Sequence, residues 1–244
     1  MIEVRGLHKE FGPVVAVDDV SFSAADGVVT GLLGPNGAGK TTTLRILTTL
    51  IVPDRGKALI DGQDVALDSI EARKRIGVLP DARGLYPRLT AREHVRYAAE
   101  LHGMNGSGLT SRIAELLDLL DMRSIADRRV EGFSHGERVK VALARALVHG
   151  PRNVMLDEPT NGLDVLSTRA VRDLIRRLRD QGKCVLFSSH VMQEVSALCD
   201  RIVVIARGRV VAEGTPDEIK ARAGKDNLEE AFVSVIGTDQ GLVQ

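Results

Sequence analysis

The sequence has no tryptophan, and aromatic residues make up only 3% of it. A core without large rings must be assembled from Val, Leu, Ile and Ala, which suits buried parallel strands covered by helices. Acidic and basic residues balance at 33 each, so the formal net charge is zero and no overall basic field points to nucleic acid as a partner. Cysteine is scarce: Cys184 and Cys199 each lie in or beside an apolar segment, without C-x-x-C spacing. Neither has a second Cys or a His at ligand spacing, which argues against a zinc site and for two inert thiols in a reducing compartment. Long hydrophobic runs are missing as well. The start, MIEVRGLHKEFG, lacks the apolar run of a secretory signal. Stretches such as VVTGLL and IVVIA fall far short of the roughly 18 residues needed to cross a bilayer. The chain is therefore expected in the cytoplasm, with any membrane role supplied by a partner.

What is present is an ordinary globular composition, 43% apolar over 244 residues, enough for one large domain. Short apolar segments over 2–4 and 14–17 predict an antiparallel β region. A buried strand is predicted over 28–33, followed by a glycine-rich stretch and a helix over 41–50. KALI followed by Asp61-Gly62 predicts a hairpin, and 75–79 a strand closed by Pro80. Helical patterns follow over 91–102, 109–122 and 139–148, making residues 87–150 a helix-rich insertion. Strands at 153–156, 184–188, 202–205 and 209–212 then alternate with helices at 165–178 and 192–198. The alternation predicts an α/β fold with a mostly parallel sheet and an inserted helical lobe. Residues 1–220 read as one domain and 221–244 as a short polar tail with one apolar patch at 228–236.

Gly34-Pro35-Asn36-Gly37-Ala38-Gly39-Lys40-Thr41 matches the phosphate-loop pattern G-x-x-x-x-G-K-[ST] in full. The spelling has a physical reason. Glycines let successive backbone N–H groups curl inward around a polyanion, and the following helix adds its N-terminal N–H groups and dipole. Lys40 places a cation on the β- and γ-phosphates, Thr41 offers a hydroxyl to Mg²⁺, and Thr42 reaches the α-phosphate region. Further on, Val154-Met155-Leu156-Asp157-Glu158-Pro159 is an apolar strand that delivers two carboxylates at its C-terminal end, where ligands sit in open α/β sheets. Asp157 is expected to hold Mg²⁺ through water, and Glu158 to polarise the attacking water as general base.

With these motifs in view, nearly the whole chain resembles the ATP-binding cassette family, the nucleotide-binding subunits of ABC transporters. Phe133-Ser134-His135-Gly136-Glu137 is similar to the family signature and precedes a run, RVKVALARALVHGP, similar to its signature helix. Asn161-Gly162-Leu163-Asp164 resembles the D-loop, His190 in FSSHVMQEV the switch histidine, and Phe11 the aromatic that stacks on adenine. The resemblance implies an ABC nucleotide-binding domain, that is, a P-loop NTPase core with an N-terminal antiparallel β region. It also implies an ATPase in which two cassettes, identical or different, pack head to tail around two ATPs. Ser134 and Gly136 would then reach a γ-phosphate held by the opposite subunit. His190 would sense that phosphate in its own subunit, Asp164 would couple the sites, and an integral membrane permease on the inner face of the cell membrane would be the driven partner.

Two departures stand out. Asp81 replaces the family's usual Gln after the strand that leads to the helical lobe, which keeps a reach toward Mg²⁺ on a shorter, charged side chain. In the signature, His135 and Glu137 replace Gly and Gln; we expect His135 to face solvent and Arg138 to offset the charge of Glu137. GVLPDARGLYPRLTAREHV and the signature region together resemble NatA-type sodium-efflux cassettes within the wider exporter group. A soluble ABC ATPase working without a transporter, or a nucleotide-gated regulator with little turnover, are the alternatives. Since Lys40 is the main side-chain cation expected on the phosphates, Lys40→Ala is predicted to lose nucleotide affinity in a direct binding titration, and an unchanged dissociation constant would contradict that role.

Overall fold

The computed structural model describes residues 1–81 and 84–240. Ala82 and Arg83, part of the stretch that resembles sodium-efflux cassettes, lie outside the described residues, as do residues 241–244 of the expected tail. The N-terminal ribbon is longer than its sequence suggested. Strand β1 (Ile2–Phe11) pairs antiparallel with β2 (Val14–Ala24), and β4 (Arg55–Ile60) with β5 (Gln63–Asp64) completes a four-stranded sheet in the order β2-β1-β4-β5. The expected turn at Asp61-Gly62 has both residues at positive φ, 48° and 80°, as a tight hairpin between right-twisted strands requires.

The second sheet has six strands. They are β3 (Val29–Leu33), β6 (Ile76–Leu79), β7 (Asn153–Asp157), β8 (Cys184–Ser189), β9 (Arg201–Ala206) and β10 (Arg209–Gly214), in the spatial order β10-β9-β3-β8-β7-β6. All pairs are parallel except β10 with β9, which closes as a hairpin through Arg207-Gly208. Helices α1 (Lys40–Leu47), α2 (Ser69–Arg75), α3 (Ala91–Leu101), α4 (Gly106–Leu119), α5 (His135–Leu147), α6 (Val165–Asp180) and α7 (Met192–Leu198) connect or flank the strands. The result is a P-loop NTPase core with an N-terminal antiparallel β region and an inserted helical lobe of α3 to α5.

Side-chain alternation along the central strands divides the interior in two. In β8, Val185 and Phe187 face the core shared with α5 and α6, whereas Cys184 and Leu186 face the core shared with the antiparallel sheet. In β9, Ile202 and Val204 take the first side and Val203 and Ile205 the second. This is the period of two expected for a sheet buried on both faces, and it explains why these strands read as unbroken apolar runs. Leu44, Ile46 and Leu47 bury one side of α1 in the second core, so the helix after the phosphate loop is clamped between the sheets. Both thiols are buried, and burial pushes Cys184 up to about 12 and raises Cys199 as well, so neither is a thiolate at neutral pH.

Three helices escaped the sequence reading. The brief α2 is capped by Asp68, whose side chain accepts from the Glu71 N–H. Across the expected tail boundary α8 (Pro216–Ala223) forms, and α9 (Leu228–Gln240) takes in the apolar patch at 228–236, with Ile219, Leu228, Ala231 and Ile236 buried in the main core. The signal for α8 was available: Thr215 and Glu218 form a capping box, Pro216 sits in the first turn, and Gly224 closes the helix in the left-handed region.

Where the helical lobe meets the sheet, the His102 and His149 rings stack at 3.8 Å and 6°, and His149 Nε2 donates to the Ile76 carbonyl at 2.9 Å. Burial, with the nearby His102, pulls His149 down to about 4. The unfolded chain takes up this proton near pH 6.5, so between those values it binds more protons than the folded chain, and acidification destabilises the fold. Urea unfolding is expected to show a free energy that falls as pH drops through this window, with a shallower fall in His149→Gln; identical slopes would contradict the assignment.

Candidate functional site

The geometry of the site begins with strand register. Leu33 of β3 lies opposite Ser189 of β8, and Asp157 of β7 opposite Ser188. Three neighbouring parallel strands therefore end level, and the segments after them open on one cleft of about 480 Å³. Asn36, Gly37, Ala38, Gly39, Lys40, Thr41 and Thr42 line it from the first strand, Asp157, Glu158 and Asn161 from the second, and His190 from the third. Asp81, just past β6, completes the rim.

The loop of residues 34–39 is built as a cradle. Gly39 has φ 109°, and a Cβ there would stand 2.5 Å from the Ala16 carbonyl oxygen, so neither the backbone nor the space admits a side chain. Lys40 is buried, and its ammonium donates to the carbonyls of Gly34 at 2.6 Å and Pro35 at 3.2 Å. Gly34 and Pro35 thus serve as acceptors that aim Lys40. Burial lowers the Lys40 pKa, and the charges of Glu158 and Asp157 work against that shift. A cation facing two carboxylates across a cleft of this size suits a polyanion that brings its own metal.

The acidic pair is held by a residue the sequence reading passed over. Ser188 Oγ donates to Asp157 Oδ1 at 2.5 Å and accepts from the Glu158 N–H at 3.2 Å. Only the register of β7 against β8 exposes this, although FSSH placed the serine two residues before the histidine. Glu158 leaves the strand at φ 47°, an uncommon region for a residue with a side chain. His190 Nδ1 lies 2.9 Å from Glu158 Oε1. A carboxylate only accepts, so Nδ1 carries the hydrogen and Nε2 is left for the cleft.

Ser134, Gly136 and Asp164 are not part of this cleft. Ser134 caps α5, accepting from the Glu137 N–H at 3.2 Å while the Glu137 side chain accepts from the Ser134 N–H at 2.8 Å. Glu137 is therefore a capping-box residue whose charge pairs with Arg128 at 3.2 Å. The expected partner, Arg138, instead donates to the carbonyls of Phe133 and Glu131. His135 is exposed, yet its Nε2 donates to the Asn161 carbonyl at 2.9 Å. Asp164 caps α6, accepting from the N–H and hydroxyl of Ser167, and these bonds hold its carboxyl below the usual range. Phe11 stands at the hairpin end opposite Val14, 48% exposed, with the Lys9 ammonium 5.5 Å from its ring centre. The cleft wall there is formed by Val14, Val15 and Ala16 and not by Phe11.

Among the described residues, no group of three or more His, Cys, Asp and Glu side chains is arranged to hold a metal. Mg²⁺ needs no such cage, since it is commonly bound by one or two carboxylates together with substrate phosphates. Thr41, Asp157 and Asp81 around the cradle fit that pattern.

A phosphate cradle at the ends of parallel strands, faced by an acidic pair and a histidine, defines a P-loop nucleotide-binding domain. Residues 17–161 match the model of the ABC transporter family, and the chain belongs to that family as an ATP-binding subunit. It is 43% identical to the ABC transporter ATP-binding protein NatA of Bacillus subtilis, with 91% of this chain and 90% of that protein covered. Identity is 34% with the linearmycin resistance ATP-binding protein LnrL of the same organism, over 97% of this chain and 76% of that protein. Among solved structures, a dimeric ATP-binding cassette in a post-hydrolysis state bound to ADP and Pi is similar with a TM-score of 0.80 and 28% identity, covering 88% of this chain and 98% of that one.

At Gly136, a Cβ would stand 2.8 Å from Ser167 Oγ, so the starts of α5 and α6 touch there and an added methyl would turn the Ser167 hydroxyl away from Asp164. Gly136→Ala is expected to cost about 0.5–1.5 kcal/mol through loss of the Ser167–Asp164 hydroxyl bond, and less in a Ser167→Ala background. Denaturant unfolding of the double-mutant cycle checks this, and strict additivity would refute the contact.

Proposed function

We propose that the chain hydrolyses ATP and couples that reaction to export through a separate integral membrane permease. The convergence of Lys40, Glu158 and His190 on one cleft, from three level strand ends, carries this reading. In it, Lys40 and the backbone of residues 36–41 bind the phosphates. Mg²⁺ held by Thr41 and Asp157, with Asp81 beside them, would neutralise developing charge on the phosphates. Glu158 accepts a proton from the attacking water, and the bond from His190 Nδ1 fixes the carboxylate; a second bond, from Nε2 to the γ-phosphate, requires a ring that carries a hydrogen on both nitrogens.

The second half of each site comes from another copy, or from a related cassette, packed head to tail. The Ser134 hydroxyl accepts from the Glu137 N–H and retains its own hydrogen to donate to a phosphate. Gly136, near the N-terminus of α5, offers backbone N–H there, and Asp164 links the two sites through the start of α6. The dimeric cassette similar in fold supports this arrangement. Phe11, beside the Val14–Ala16 wall, is the residue we assign to the adenine.

No helix among the described residues is long and apolar enough to cross a membrane; in this reading a permease subunit supplies the pathway and this chain is peripheral on its cytoplasmic side. We infer efflux as the direction and sodium or drug-type solutes as the cargo; the name of the linearmycin resistance relative and the resemblance to sodium-efflux cassettes support that class. Nothing in the cleft calls for nucleic acid.

Glu158→Gln tests the chemistry. Nucleotide binding should persist, ATP should trap a dimer visible by size-exclusion chromatography, and turnover should fall by about 10²–10⁴-fold, the scale of a lost general base. Turnover at the level of the unmodified protein would overturn the assignment.

A further inference from the structure

Behind the cleft lies a buried charged cluster that the roles above do not use. Glu194 of α7 is only 4% exposed. Its carboxylate accepts from the Thr160 hydroxyl through one oxygen, and from Arg172 at 3.2 Å through the other. Each partner belongs to a different part of the site. Thr160 follows Glu158 by two residues and is itself buried. Arg172 is on α6, the helix that Asp164 caps. Glu194 follows His190 by four residues. A carboxylate withdrawn from water is costly unless it is paired and hydrogen-bonded, and here the partners come from the segment that carries Glu158 and from α6.

The consequence is geometric. The loop after β7 and the loop after β8 are joined twice, once at the surface by His190 and Glu158, and once beneath it by Thr160 and Glu194. The outer tie faces the cleft, so nucleotide and water compete with it. The inner tie is out of their reach. Arg172 neutralises it and adds α6 to the same joint.

We propose that Glu194 is a positioning residue: through Thr160 and Arg172 it fixes the distance between the Glu158 and His190 loops, so that base and histidine stay aligned when the outer bond between them is broken. This rests on the reading of the chain as an ATPase and assigns Glu194 no contact with nucleotide. A misplaced base slows chemistry far more than it weakens phosphate binding, because the main phosphate-binding groups sit on the loop of residues 36–41.

The test uses the full chain and Thr160→Val, which removes the hydroxyl with little change in shape, together with Thr160→Ser, which restores it. Steady-state ATP hydrolysis, ATP binding by titration, and hydrogen exchange of peptides covering 188–195 are measured on each. The expected result for Thr160→Val is a kcat reduced about 10–100-fold, a dissociation constant within about twofold of the unmodified value, and faster exchange confined to 188–195. Thr160→Ser should reverse all three. An unchanged kcat in Thr160→Val overturns the proposal, as does a fall shared equally by binding and turnover with exchange raised throughout, or a failure of Ser to restore. If Thr160→Val does not fold, Glu194→Gln, which keeps an acceptor for Thr160 and removes the charge facing Arg172, is measured the same way. An unmodified protein that binds ATP without hydrolysing it removes the functional reading instead, and the positioning role is then decided by the exchange data alone.

Discussion

The level ending of three parallel strands is the constraint on which the site depends. Because Leu33 sits opposite Ser189 and Asp157 opposite Ser188, residues from three distant parts of the sequence emerge at one edge. A shift of one residue in either pairing would exchange the side chains of β7 or β8 between the two cores, and the close packing of each core opposes that exchange. The chemistry of the cleft is in this sense secured by packing: Val185 and Phe187 on one side and Cys184 and Leu186 on the other hold β8 where His190 can meet Glu158.

Within that frame, polar contacts make small adjustments with large effect. The Gly34 and Pro35 carbonyls turn the Lys40 ammonium, and Ser188 holds Asp157 while steadying the backbone at Glu158. The unusual backbone conformation of Glu158 directs its side chain away from the strand axis and toward His190. Outside the cleft, the helix starts at Ser134 and Asp164 are each capped by their own side chain and meet at Gly136 and Ser167. They form a preset surface, which in the proposed dimer would meet a second nucleotide without having to reorganise.

Much of this was legible in the sequence. The phosphate loop and the Asp157-Glu158 strand end specify their own geometry, because few other backbones satisfy the glycines or the apolar run before two carboxylates. The parallel sheet followed from segments too apolar to have a wet face. What stayed hidden depends on which residues become neighbours. Ser188 is an unremarkable strand serine until β7 lies beside it. Arg128, and not the adjacent Arg138, neutralises Glu137 because the turn before α5 brings Arg128 alongside. Helix α8 was missed because Ile219 is its one large apolar residue, although the capping box at Thr215 marked its start, and α9 because its apolar residues at 228–236 were read as an isolated patch. Phe11 carries a role by resemblance, while the cleft wall beside it is formed by Val14 and Val15.

The cassette is proposed to work on a membrane permease. The most direct measurement is purification of the tagged native chain from detergent-solubilised membranes, with identification of what accompanies it and assay of ATP hydrolysis on the complex. The account predicts a protein with several membrane spans in stable association and an ATP-hydrolysing complex. Recovery of the chain only with soluble proteins, ribosomes or nucleic acid would contradict it.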